Sequence, residues 1–135
     1  MKKVKIASTV CLGIALILQI LPFGVIMKWA TMFERKVTYH SYFDLLVFGY
    51  GDIGPFFCAV LTTVAFGMMI CSFCVKSLKN NWIYHLSYTI IIFVSVIFSL
   101  IPTIFQAYSV FGLFITLCLS VATELNFMLF INRNR

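Results

Sequence analysis

Four stretches of this chain are long and apolar enough to cross a lipid bilayer, and little remains outside them. Crossing a hydrocarbon core of about 30 Å takes about 20 mostly apolar residues in a helix. The windows Ile6–Met27, Ile53–Val75, Ile83–Ile104 and Ser109–Ile131 each supply that length. Their connections are an outer loop, Lys28–Asp52, a basic link, Lys76–Trp82, and a tight turn at Phe105–Tyr108. Of 135 residues 62% are hydrophobic and 10% charged, far outside the range of soluble domains. The expectation is an all-α fold, an integral membrane four-helix antiparallel bundle in one transmembrane domain covering residues 1–135. Its outer loop, residues 28–52, is aromatic and is expected to contain a short interfacial helix.

The opening Met1-Lys2-Lys3-Val4-Lys5 has the basic flank of a signal peptide. The apolar run behind it outlasts the roughly 7–15 residues of such a segment, and no small-x-small cleavage site follows, so it reads as the first span. Basic residues near helix ends stay on the cytoplasmic side. Lys2, Lys3, Lys5, Lys76, Lys79, Arg133 and Arg135 fall on one side; Lys28, Arg35 and Lys36 fall on the other with Glu34, Asp44 and Asp52. Both ends are therefore expected in the cytoplasm of a multi-pass protein of the cell membrane. The net charge of +6 is explained by topology and asks for no nucleic-acid partner. Trp29 and Tyr108 outside, with Trp82 and Tyr84 inside, stand where aromatic belts form.

Lipid gives helices no hydrophobic reason to associate, so they meet where small side chains let backbones approach. Such residues recur every four positions: Ala7, Cys11 and Ala15, and then Gln19; Ala59, Thr63, Gly67 and Cys71; Ser95, Ser99 and Thr103; Gly112, Thr116 and Ser120, and then Glu124. One compact bundle is the expected result. Pro22 and Pro102 lie near the outer ends of their helices, where a kink or stop costs little.

In the outer loop, Gly49, Tyr50, Gly51 and Asp52 resemble the second half of a potassium-channel selectivity filter, and they precede a span on the outer side. The first half of that pattern is missing. Val47 replaces the liganding threonine, Phe48 replaces valine, and Glu34-Arg35-Lys36 and Asp44 occupy the region of an apolar pore helix. A local account competes. Ser41 and Asp44 form a capping-box-like start for a helix over Tyr42–Phe48. Gly49 then supplies its left-handed cap, Asp52 caps the next span, and Pro55 sits in that span's first turn.

The run Ser41-Tyr42-Phe43-Asp44-Leu45 through Phe48-Gly49-Tyr50, with Gly54-Pro55-Phe56, Thr62-Thr63 and Leu21-Pro22-Phe23-Gly24, carries a second resemblance over most of the chain. It is similar to a group of small, uncharacterised four-helix membrane proteins of Gram-positive bacteria. Gly51-Asp52 is not a fixed feature of that group, which favours the turn reading, and the resemblance brings no activity with it.

Glu124 is the one acid inside an expected span, and an ionisable residue at that depth is a functional candidate. With Thr116 and Ser120 nearby it forms a candidate ion or proton site; pairing with Lys76, Lys79 or His85 is the structural alternative. All five cysteines, Cys11, Cys58, Cys71, Cys74 and Cys118, fall inside helices, so no secreted disulfide framework is expected. Cys71 and Cys74 have C-x-x-C spacing but lie at the cytoplasmic end, away from exchange partners. His40 and His85 are too isolated for a metal site.

No phosphate loop, nucleophile elbow or paired-carboxylate motif occurs, so neither an enzyme nor a cofactor is expected. Tyr39, Tyr42, Phe43 and Phe48, with Phe33 and Tyr50, are candidates for an aromatic surface. The expected function is binding: membrane lipids, another membrane protein or a second copy. The alternative is an ion channel or ion-coupled transporter using Gly49–Asp52 or Glu124.

Overall fold

The computed structural model describes residues 2–30, 35–44, 53–75, 81–104 and 109–134. In chain order the elements are helix α1 (Lys2–Ile20), strands β1 (Val25–Ala30) and β2 (Arg35–His40), and helices α2 (Gly54–Cys74), α3 (Trp82–Ile104) and α4 (Val110–Asn134). Each of the four helices is long and apolar enough to cross a membrane, and they pack together: α1 lies against α4 and α2, and α3 against α2 and α4.

The first helix is shorter than its apolar window. It stops at Ile20, and the chain turns through residues 21–24. Pro22 explains the stop, because it lacks an N–H and its ring disfavours helical geometry in the residue before it. Nineteen residues still span about 28 Å at about 1.5 Å each, close to the thickness of a hydrocarbon core. Beyond the turn, the apolar run continues as an antiparallel hairpin in which Val25 faces His40, Ile26 faces Tyr39 and Ala30 faces Arg35. Sequence reading assigned residues 25–27 to the span and foresaw no strand, so both points are corrected. β-Branched Val25 and Ile26 in one strand, with Val37, Thr38 and Tyr39 in the other, suit a strand pair better than a helix that proline has already ended.

Other caps are local. Asn81 Oδ1 accepts the Ile83 N–H at 3.1 Å to start α3, and Ser109 Oγ accepts the Gly112 N–H at 3.0 Å to start α4. Pro55 lies in the first turn of α2 as expected, but Ile53 holds the N-cap position and makes no side-chain cap. Asp52, offered for that role, lies outside the described residues.

Buried positions alternate in steps of three and four along each helix: Ser8, Leu12, Ala15 and Gln19; Cys58, Thr62, Ala65, Met69 and Ser72; Tyr88, Ile92, Ser95 and Ser99; Ile115, Leu119, Ala122 and Asn126. That is the seam of a bundle whose ridges fit into grooves at shallow crossing angles. The expected ridges stepped by four only. Four residues turn a helix about 400°, so each such step drifts about 40° off the contact face. Ala7, Thr63, Gly67 and Cys71 accordingly face outward, whereas Ala15, Gln19, Ala59, Ser95 and Ser99 stay inside. Threonine and serine hydroxyls with few partners satisfy themselves on the carbonyl four residues back, as at Thr9, Thr63, Thr89 and Thr123, each at 2.8 Å.

Candidate functional site

Polar chemistry inside the bundle gathers at two levels. At the hairpin end, Gln19 on α1 directs Nε2 to Thr62 Oγ1 at 3.2 Å and to Cys58 Sγ at 3.5 Å, both on α2. Thr62 donates to the Cys58 carbonyl at 2.7 Å and lies 2.9 Å from Ser95 Oγ on α3, which is itself 3.4 Å from Cys58 Sγ. One turn further along α3, Ser99 meets Thr116 of α4 at 2.6 Å. Toward the opposite end, Asn126 of α4 donates to Ser8 of α1 at 2.6 Å and lies 3.4 Å from the Tyr88 hydroxyl of α3.

Above the first level sits Tyr42, 1% exposed. Its N–H donates to the Gln19 carbonyl at 3.0 Å, closing the C-terminal end of α1. Its ring rests on Gly24, and its hydroxyl stands beside Gly112; Ser109 Oγ, while capping α4, donates to the Gly24 carbonyl at 2.7 Å. Small residues at 24 and 112 are what let the ring lie between the turn after α1 and the start of α4. Ser41 and Asp44 hold the segment: the Ser41 N–H donates to Asp44 Oδ2 at 2.8 Å, half of the capping box read from the sequence. His40 Nδ1 stands 3.6 Å from the same oxygen. The rest of the expected helix over Tyr42–Phe48 lies outside the described residues.

The expected site residues separate. Tyr39 and Phe43 are exposed, but Tyr42 is a plug and offers no surface, which corrects its assignment. Phe23, not singled out beforehand, joins the exposed set, 6.5 Å edge-on from Tyr39 and 5.7 Å from Phe111 between ring centres. Glu124 is exposed, whereas Thr116 and Ser120 commit their hydroxyls to the carbonyls of Gly112 and Thr116. Gly49, Tyr50, Gly51, Asp52 and Phe48 lie outside the described residues. Cys71 and Cys74 are free and exposed, and Cys58 is free and buried. Among the described residues no three His, Cys, Asp or Glu side chains gather. The Gln19 level was missed; its signal was a glutamine, a threonine and a serine at seam positions of otherwise apolar helices.

Comparison with protein-family models, with curated proteins and with solved structures found no match to this chain.

Proposed function

We propose that this is a non-enzymatic, multi-pass protein of the cell membrane, an antiparallel bundle with both ends of the chain on the cytoplasmic side, whose hairpin end binds lipid or a membrane partner. The observation that carries the binding reading is the exposed aromatic cluster of Phe23 with Tyr39 and with Phe111 at the start of α4, and Phe43 exposed shortly after β2. Aromatic rings at the level where a spanning helix begins suit the headgroup zone, so lipid is the favoured occupant.

Membrane placement has separate support. Outward positions carry Ile6, Val10, Ile14, Ile17, Val60, Val64, Ile90, Phe93, Leu113 and Leu117, while Ser8, Gln19, Thr62, Ser72, Ser95, Ser99 and Asn126 are inside. Such an apolar exterior would aggregate in water but suits lipid. The antiparallel arrangement is supported by pairs joining opposite ends of successive helices, such as Lys5 Nζ to the Ser72 carbonyl at 3.2 Å and Trp82 against Phe130 at 5.9 Å.

The test is purification in mild detergent followed by mass spectrometry of whatever stays bound, comparing the native chain with the Phe23→Ala/Tyr39→Ala double variant. Stoichiometric lipid or partner on the native chain, lost from the folded variant, is expected. A native chain that carries neither ends the reading.

A further inference from the structure

Glu124 stands on the outward face of α4. The exposed positions Phe114, Leu117, Val121, Glu124, Met128 and Ile131 step by three and four along one stripe, and all but Glu124 are apolar. At about 1.5 Å per residue, Glu124 lies about 10 Å inside Ile131, the nearer end of the apolar window Val110–Ile131. Its two methylenes do not reach that far, and side chains on a helix lean toward the N-terminus, which for α4 is the farther end. Among the described residues no hydrogen bond or ion pair engages the carboxyl. Ionisable groups within a spanning segment almost always face protein or a wet cavity rather than lipid, so the stripe calls for a protein neighbour.

We propose that this stripe of α4 is a homodimer interface, in which the α4 helices of two copies lie side by side and their Glu124 carboxyls hydrogen-bond to each other. The choice of a second copy rests on depth. A two-fold axis along the membrane normal places both copies of any residue at the same level, and a stripe stepping by three and four is the spacing by which parallel helices interlock, so each Glu124 meets its twin. Hydroxyls near that level are already spent: Thr9, Thr89 and Thr123 lie close to the level at which Ser8, Tyr88 and Asn126 join, and each donates to the carbonyl four residues back at 2.8 Å. Carboxyls in contact do not both stay ionised. With a proton between them, the O–H of one donates to an oxygen of the other, and both are satisfied without a base. The outward stripes of α1 and α3 carry Val10, Ile14 and Ile17 and Ile90, Phe93 and Ile97 at these depths, with no ionisable group that asks for a partner. One polar pair in an apolar seam also fixes the register of two helices. The inference rests on the membrane placement proposed above and is independent of what the aromatic cluster binds.

The experiment is oxidative cross-linking in membranes, with all native cysteines replaced and a single cysteine introduced as Met128→Cys on the stripe or as Ile14→Cys on the outward face of α1. The expected result is a covalent dimer from Met128→Cys and none from Ile14→Cys. Adding Glu124→Gln should keep the dimer, because an amide both donates and accepts, whereas Glu124→Leu should weaken association about tenfold, the order expected for an interhelical hydrogen bond. Native mass spectrometry of the cysteine-containing chain in mild detergent gives the same comparison, a dimer that Glu124→Leu shifts toward monomer, and decides alone should the cysteine-free chain fail to fold. Absent or equal cross-linking at the two positions, cross-linking to a different protein, or a yield that Glu124→Leu leaves unchanged overturns the proposal. A chain that alkali strips from the membrane ends the membrane reading and the proposal together; an integrated chain that stays monomeric ends the proposal alone.

Discussion

A methyl group at Gly24 would stand 2.6 Å from Cδ1 of Tyr42 and 2.8 Å from Cε1, closer than real atoms approach. The ring has nowhere to go, being buried, with its hydroxyl beside Gly112. Overpacking of this kind costs about 1–3 kcal/mol, so Gly24→Ala is expected to lower Tm clearly in detergent. Gly112→Ala places its methyl 3.2 Å from both the Gly24 carbonyl and the Tyr42 hydroxyl and should cost less. Gly67→Ala meets nothing within 4 Å and should be neutral or slightly stabilising, because a helix interior favours alanine over glycine. Thermal unfolding of the three variants checks the order; an equal Tm for Gly24→Ala and Gly67→Ala would mean that the Tyr42 contact sets no cost.

At the scale of elements, Ser109 has two jobs where an ordinary cap has one. It accepts the Gly112 N–H to begin α4 and donates to the Gly24 carbonyl, tying the turn after α1 to the start of α4. Asn81 only begins α3, at an exposed position. Losing a cap costs about 1 kcal/mol, and leaving a buried carbonyl without its donor adds about 1–3 kcal/mol. Ser109→Ala should therefore destabilise the protein more than Asn81→Ala, as read by Tm in the same detergent; equal losses would mean the Gly24 tether contributes nothing.

The helices themselves were legible because a 20-residue apolar run has few other ways to be satisfied. The hairpin was not: Pro22 was seen, but apolar Val25, Ile26 and Met27 look alike as the tail of a span and as a strand. Seam positions were blurred for a related reason. Small residues recurred every four positions on both inward and outward faces, so Thr63 and Gly67 resembled a packing ridge that the three-four alternation of Cys58, Thr62, Ala65 and Met69 actually supplies. Gln19 was visible as a polar residue, but its pairing with Thr62 and Cys58 joins two helices far apart in sequence and has no sequence signal.

For the whole molecule, orientation rests on charge alone. In the sequence Lys2, Lys3 and Lys5 open the first apolar run, Lys76 and Lys79 link the second to the third, and Arg133 and Arg135 close the fourth, while Lys28, Arg35 and Lys36 share the first loop with acids. In the proposed orientation the positive-inside tendency would set the hairpin outward, and the native cysteines allow a direct check. Cys71 and Cys74 are exposed near the end of α2 away from the hairpin, whereas Tyr39 is exposed on β2. With Cys74 as the sole cysteine, a membrane-impermeant thiol reagent is expected to label sealed, right-side-out membranes only after they are opened. With all native cysteines replaced and Tyr39→Cys introduced, the same reagent should label them intact. The reverse pattern would place the hairpin in the cytoplasm, put the aromatic cluster against the inner leaflet, and leave the lysines and arginines without a role in setting the fold's direction.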